Sequence, residues 1–465
     1  MANGALLYSL LHPLVGVALR WYYRSITVTG LERIPESGPV FIAANHPNAL
    51  VDALVVGCVV PRRVRFTAKA TIFSNPLGAR LLTRIGVVPL RRASDERSET
   101  PSDGQPDPAR PDPARNAASF DAVADALAEG AAIVIFPEGR SHDDPHLAPL
   151  RTGLARMAWH AADARGVREL RIVPVGLLFE QKERPRSRIL VRVGEPLVVD
   201  ALRLQGANIA SLTQLVSERL NAVTLNFSSP EDAERLQIVG RTLAALLEPT
   251  RAIGEDTTPL SAVLRVVQRL DRAQQALRAK ADPALDARAA AFEQRVRNFR
   301  ATLDAQHLDP HDVAIDVHAT PGVRFAIREA TLAALLAPVG LWGRITHTVP
   351  IQLTRMIALR NVRSRDEPAM RTLVLGFVVV LIAYALETTL VAALFGGWWA
   401  LAFLISLIPA ASSDLRYGDR TRRARARARA YFTFRRNPAL QQQLLAEGEA
   451  IRHTAGELER LSLAT

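Results

Sequence analysis

His46 and Asp52 are the residues of this chain best suited to chemistry. An imidazole can take a proton from a hydroxyl near neutral pH. A carboxylate beside it fixes its tautomer and stabilises the imidazolium that forms. Six positions of ideal helix turn through roughly 240°, so a single helix face does not bring the two together. They meet if His46 sits in a turn ahead of the helix that carries Asp52, with the chain bent at Pro47. The surrounding sequence suits that arrangement: Pro39 to Ala44 is an apolar run of strand length, Pro47 and Asn48 break it and can begin a helix, and Ala53 to Val60 continues apolar. The pair then lies at the carboxyl end of a strand, where open α/β sheets place their ligands. Taken alone, a histidine–aspartate pair is more often structural than catalytic.

A second group of residues offers an anion site. In Phe136-Pro137-Glu138-Gly139-Arg140-Ser141, Arg140 supplies a bidentate fork for phosphate, and Gly139 allows close backbone approach. Glu138 can hold that arginine or a substrate hydroxyl. Arg91 and Arg92 end another strand-like segment, Gly86 to Arg92, and add cationic groups. Ser141-His142-Asp143-Asp144-Pro145-His146 is a conceivable N- and O-ligand metal site, but no metal or resident cofactor is expected. The chain has no Gly-x-Ser-x-Gly elbow, which disfavours an α/β-hydrolase lipase.

The elements that must position these groups alternate between strand and helix through Val199. This argues one α/β domain over residues 25–205, with a low-complexity insertion at 93–117. Ala131 to Phe136 is continuously apolar, as in a strand buried on both faces. Residues 1–24 form a helix with an aromatic and basic edge, either interfacial at a membrane or packed on the sheet. Residues 208–306 form a helical module. Its stripe of Leu285, Phe292, Val296, Phe299 and Leu303 reads as core.

Residues 372–413 contain two apolar tracts joined at Gly396-Gly397 and read as a transmembrane hairpin. Arginines on both flanks, including Arg355, Arg360, Arg416, Arg420 and Arg422, put both ends on the cytoplasmic side. Residues 323–371 read as interfacial helices, since Leu332 to Trp342 is short for a span. Residues 414–465 read as a basic helical tail that faces phospholipid or solvent.

Composition agrees with a lipid partner. The 465-residue chain carries a net charge of +12 with 6% aromatics and one cysteine, Cys58. Such a balance suits anionic membrane lipids. No nucleic-acid motif is present, and one cysteine excludes a disulfide scaffold or a thiolate cluster and fits a reducing compartment.

Four separated blocks over roughly residues 35–200 resemble the glycerolipid acyltransferase family, membrane enzymes that acylate glycerol phosphate and lysophosphatidate. Asn45-His46 with Asp52 is similar to the first block, Gly86 to Arg92 to the second, Phe136 to Ser141 to the third and Ile172-Val173-Pro174-Val175 to the fourth. Pro149 to Gly153 resembles the stretch that follows the third block in many members. The resemblance implies His46 and Asp52 as catalytic, and Arg92 (with Arg91 a close rival), Glu138, Gly139 and Arg140 at the acceptor. Ser141 closes that block, and Pro174 falls on the acyl-donor side. The family usually has four residues between histidine and aspartate, whereas here there are five, residues 47–51. That spacing resembles a subgroup including fungal enzymes that acylate glycerol phosphate or dihydroxyacetone phosphate.

The resemblance implies transfer of a fatty acyl group from acyl-CoA or acyl carrier protein to a glycerophosphate or lysophospholipid hydroxyl, with the catalytic domain on the cytoplasmic side of the membrane. Backbone N–H groups near the start of the helix are candidates to stabilise the oxyanion. The alternatives are an acyltransferase for another lysophospholipid, or a lipid-binding or scaffolding protein without turnover.

Overall fold

The computed structural model describes residues 2–90, 113–247, 259–360, 362 and 367–463. The chain divides into two compact units, Met1–Asn226 with Ala358–Leu375, and Phe227–Ile357 with Gly376–Thr465.

The first unit begins with α1 (Ala2–Tyr22), β1 (Ser25–Thr29), β2 (Val40–Ala44), α2 (Ala49–Val59), β3 (Val64–Lys69), α3 (Pro76–Ile85) and β4 (Val88–Leu90). It continues with α4 (Pro113–Ala128), β5 (Ala132–Ile135), α5 (Gly153–Ala164), β6 (Arg171–Phe179), β7 (Arg188–Val193), β8 (Leu197–Val198), α6 (Val199–Leu204) and α7 (Ile209–Val223). The strands form one sheet in the order β1-β7-β6-β2-β5-β3-β4, with β8 also paired to β6. β2 lies between β5 and β6 and is parallel to both, while β7 and β8 run antiparallel to β6.

Because β2 is central, its side chains are buried on both faces. Phe41 and Ala43 join the core beneath α4, α5 and α7, and Val40, Ile42 and Ala44 join the core beneath α1 and α2. The result is a sheet flanked by helices, with the carboxyl end of its middle strand emptying directly into Asn45 and His46.

Several boundaries differ from the sequence reading. Helix α7, expected in the helical module, packs on the sheet through Leu212, Val216, Leu220 and Val223, which recur every three or four residues. Gly176 of β6 permits that contact, since a Cβ there would lie 2.1 Å from the Val223 carbonyl oxygen. The insertion expected at 93–117 lies mostly outside the described residues, but Pro113 to Ala117 already belong to α4. Of the two readings of residues 1–24, the last turn of α1 packs on the sheet through Leu19 and Tyr22 with Tyr23 behind it, while Leu6, Leu10 and Leu14 remain exposed.

The second unit contains α8 (Pro230–Leu247), α9 (Leu260–Ala279), α10 (Pro283–Ala305), α11 (Ala319–Ala358), most of α12 (Glu367–Phe395), α13 (Gly397–Arg436) and α14 (Pro438–Leu463). The stripe of Phe292, Val296, Phe299 and Leu303 forms its core together with Val239, Leu243, Leu444, Ile451 and Leu458. The C-terminal tail is therefore not only a basic surface, because α14 contributes to that core.

Among the described residues, three helices are long and apolar enough to cross a membrane, Gly322–Ala358, Glu367–Phe395 and Gly397–Arg436. The first of these is one continuous helix where interfacial helices were expected over 323–371. It is continuous through Pro338 and Pro350, and its apolar face runs on past Trp342 to Ile357. It crosses α13 at Gly343, where a Cβ would fall 2.1 Å from the Ala410 carbonyl oxygen.

Candidate active site

Strand β2 ends at Ala44, and the chain turns through Asn45 to Asn48 before α2 begins. The turn is fixed at both ends. The Asn45 side chain takes the Leu177 N–H at 2.7 Å and gives a hydrogen bond to the Leu177 carbonyl at 3.1 Å, like an extra rung of the β2–β6 ladder. Ala49, the first residue of α2, has φ 46°. A left-handed non-glycine residue is a local strain held by its surroundings, and it falls within the five-residue span that separates His46 from Asp52.

His46 and Asp52 meet as the bent-turn arrangement requires. His46 Nδ1 lies 2.9 Å from Asp52 Oδ2, with the His46 side chain 17% exposed and the Asp52 side chain fully buried. The imidazole stacks on Phe136 with centroids 4.0 Å apart and planes 13° from parallel. A ring held by Nδ1 and by one face presents Nε2 as its remaining polar atom. Asp52 Oδ2 also accepts the Asn48 N–H at 2.7 Å, and Asn48 Nδ2 donates to Tyr23 Oη at 3.1 Å. Burial pushes the Asp52 carboxyl above its usual range, opposed by the bond to His46, the Asn48 N–H and the Lys182 charge.

The segment after β5 wraps around this turn. Gly139, at φ 79°, folds the chain back so that residues 138–142 lie against residues 46–49. Glu138 is fully enclosed. Its Oε1 accepts the His46 N–H at 2.7 Å, and its Oε2 accepts the Ala148 N–H at 2.9 Å and bonds His142 Nε2. Both Glu138 oxygens are thus engaged by the protein, so the residue implied at the acceptor braces the His46 turn. Ser141 Oγ accepts the Ala49 N–H at 3.0 Å and so secures the start of α2.

Arg140 is different. Its side chain is 66% exposed and lies a loose 3.4 Å from Asp144, so the guanidinium stands at the surface beside the turn. Pro174 is buried within β6, in register with Ala43, and its ring sits under Gly194. It shapes the sheet beneath the site. Arg91 and Arg92 lie outside the described residues.

The N–H groups of His46, Asn48, Ala49 and Val51 are all engaged within the turn or by residues 138–141. This removes most of the backbone donors that the sequence offered for an oxyanion. Among the described residues, no group of three or more His, Cys, Asp or Glu side chains is arranged around a common point. In the 141–146 segment, His142 bonds Glu138, Asp143 pairs with Lys182 and Asp144 lies near Arg140.

Sequence reasoning missed Lys182, which reaches from the loop between β6 and β7 to the Pro47 carbonyl at 2.7 Å. Nothing in Glu180-Gln181-Lys182-Glu183-Arg184 distinguishes it from a solvated charge run. Asn48 and Tyr23 were missed as well. The amide lies within a recognised motif, but the phenol is brought to it only by the packing of α1.

Residues 25–178 match the family model described as Acyltransferase. Glycerol-3-phosphate O-acyltransferase 2 of Saccharomyces cerevisiae is 33% identical over 159 residues, covering 33% of this chain and 21% of that protein. Glycerol-3-phosphate O-acyltransferase 1 of the same yeast is 26% identical over 319 residues, covering 52% of this chain and 42% of that protein. An uncharacterized acyltransferase of Schizosaccharomyces pombe is 22% identical over 257 residues. The matched stretches thus span between 21% and 42% of the lengths of these relatives. The crystal structure of the 1-acyl-sn-glycerophosphate acyltransferase PlsC from Thermotoga maritima is 18% identical, with a TM-score of 0.35 over 47% of this chain and 79% of that one. The segment that contains β1, β2, β5, most of β6 and the His46–Asp52 turn is an acyltransferase domain by its match to that family model, and over it the chain is similar to glycerol-3-phosphate O-acyltransferases.

Proposed function

We propose that the chain transfers a fatty acyl group from a thioester donor, acyl-CoA or acyl carrier protein, to a hydroxyl of a glycerol phosphate acceptor at a membrane. The observation that carries this reading is the His46–Asp52 pair, an imidazole oriented through Nδ1 by a buried carboxylate, with Nε2 left to work. His46 Nε2 takes the proton from the acceptor hydroxyl as that oxygen attacks the thioester carbonyl. The tetrahedral oxyanion collapses, the C–S bond breaks, and the proton passes from the imidazolium to the departing thiolate. A thiol with an ordinary pKa of about 8.5 leaves with little assistance, so the chemistry needs no acyl-enzyme. Cys58 suits that view: it is not at the site, and burial raises its thiol to a pKa of about 11.

Arg140 is the described cation placed to bind the acceptor phosphate, with Arg91 and Arg92 assigned to the same phosphate by the family resemblance. Holding a dianion beside the base turns binding energy into alignment of the nucleophile. Glycerol-3-phosphate is favoured over 1-acylglycerol-3-phosphate by the five-residue spacing in the first block and by the names of the two yeast relatives. The three long apolar helices and the arginines that flank them support a membrane enzyme of phospholipid synthesis with its catalytic domain on the cytoplasmic face.

The test is thioester-dependent acylation by the full chain in membranes, with glycerol-3-phosphate, dihydroxyacetone phosphate and lysophosphatidate in competition. Wild type is expected to prefer glycerol-3-phosphate, and His46→Ala to lose nearly all turnover while remaining inserted. Full activity in H46A would remove the general-base assignment. Lipid binding without turnover in wild type would favour the lipid-binding alternative.

A further inference from the structure

We infer that His142 is a positioning residue for His46, acting through Glu138; the inference rests on reading His46 as the proton acceptor. The two histidines are joined by two routes. The His142 backbone N–H donates to the His46 carbonyl at 3.3 Å. The His142 ring bonds through Nε2 to Glu138 Oε2, and Glu138 Oε1 accepts the His46 N–H at 2.7 Å. Both polar groups of the His46 main chain are therefore tied to one short segment, and the hydrogen bonds form a closed circuit.

Glu138 and His142 are four residues apart, with left-handed Gly139 between them. The circuit is a tight reverse turn clamped onto the catalytic turn rather than a chance surface pair.

The ring chemistry fits this role. His142 Nδ1 accepts the Asp144 N–H at 3.2 Å. Asp144 Oδ2 also lies 3.3 Å from Nδ1, and because the Glu138 carboxylate oxygen accepts, the ring donates to it through Nε2. The carboxylate of Glu138 has no solvent exposure and depends on its three partners, the His46 N–H, the Ala148 N–H and His142 Nε2. Without the His142 donor, a buried anion is under-compensated, and the group it can release at least structural cost is the His46 N–H. The His142 side chain is 8% exposed, so it is walled off from any substrate that reaches His46. Its effect must pass through the position of the His46 peptide, and a displacement of about 1 Å at a reacting group is enough to lose about 100-fold in rate.

The test compares His142→Leu and His142→Gln in the full chain, reconstituted in nanodiscs. A glutamine amide can donate to Glu138 as Nε2 does, whereas leucine fills similar space without a donor. For H142L, kcat is expected to fall about 100-fold while the acceptor KM changes by less than about threefold, because His142 contacts neither substrate. H142Q is expected to recover most of that loss. Amide hydrogen exchange across residues 45–52 supplies a readout that needs no turnover, and is expected to quicken in H142L and return toward wild type in H142Q.

H142L with wild-type kcat, H142Q as impaired as H142L, or unchanged exchange in H142L would each overturn the inference. Failure of the acyl-transfer reading itself would appear separately, as an active H46A variant.

Discussion

His46 Nδ1 lies 2.9 Å from Asp52 Oδ2, and the carboxylate that orients the ring is fully buried with its other oxygen, Oδ1, finding no hydrogen-bond partner among the described residues. The arrangement suits function more than stability. Burial raises the Asp52 carboxyl, and a group with its folded pKa above the unfolded value holds its proton better in the folded state. Its contribution to stability is fully present below the unfolded pKa and is lost as pH rises through the folded pKa. At neutral pH an ionised Asp52 is thus a burden on the fold. Asp52→Asn is expected to cut kcat by on the order of 10²- to 10⁴-fold, since an amide favours the wrong tautomer of His46. Unfolding stability at pH 7 should be unchanged or higher by about 1 kcal/mol. Turnover and thermal unfolding of one preparation check both halves, and a strongly destabilised D52N would contradict the second.

Lys182 connects the charge of the site to its shape. Its Nζ donates to the Pro47 carbonyl at 2.7 Å, pairs with Asp143, and opposes the upward push on Asp52. Lys182→Met removes that opposition, so Asp52 should rise further and need a higher pH to ionise. The acid limb of the pH–rate profile is then expected to move to higher pH, with the loss of rate larger on the acid side than on the alkaline side. A uniform loss across pH would instead mean that the lysine acts only through the Pro47 carbonyl.

Legibility in the sequence followed the range of the interactions. The turn at His46 was readable because strand, proline, helix start and carboxylate follow one another closely in the chain, and the burial of β2 on both faces follows from its continuous apolar run. Glu138 was recognised as a site residue, but its bonds to the His46 and Ala148 N–H groups and to His142 were not. A motif fixes which residue is present, whereas only tertiary packing shows that both its oxygens are engaged. Lys182 and Tyr23 carry no local signal, since they reach the site across more than 20 residues of intervening chain. Helix α7 was placed in the wrong unit because its amphipathic stripe records that it packs, but not against what.

That placement of α7 can be tested at Gly176. A Cβ there would stand 2.1 Å from the Val223 carbonyl oxygen and 2.7 Å from its carbon, atoms of a helix end that cannot step aside as a flexible side chain would. Gly176→Ala is expected to destabilise the α/β unit by about 3 kcal/mol or more through overpacking. Ala155→Gly offers a control of similar size in the same unit, on a helix whose packing is not in question. Limited proteolysis should cut near α7 first in G176A. Wild-type stability in that variant would show that α7 does not lie on β6.

The strain at Ala49 gives the last prediction. A left-handed φ of 46° at a residue with a Cβ carries about 1–2 kcal/mol of cost, and it is borne where the catalytic turn must become a helix. Ala49→Gly relieves that cost but widens the unfolded ensemble by about 0.5–1 kcal/mol, so the net expectation is a gain of up to about 1 kcal/mol. Ala49→Val, with a branched Cβ in the same conformation, should lose at least about 1 kcal/mol. Neither change removes the Ala49 N–H that Ser141 Oγ accepts. If His46 is held from the 138–142 side as well as through the turn, A49G should keep turnover within about twofold of wild type despite its looser backbone. Were Ala49 strain itself what aims His46 at the substrate, A49G would gain stability and lose kcat together. Unfolding midpoints and kcat for the two variants, measured side by side, separate these outcomes.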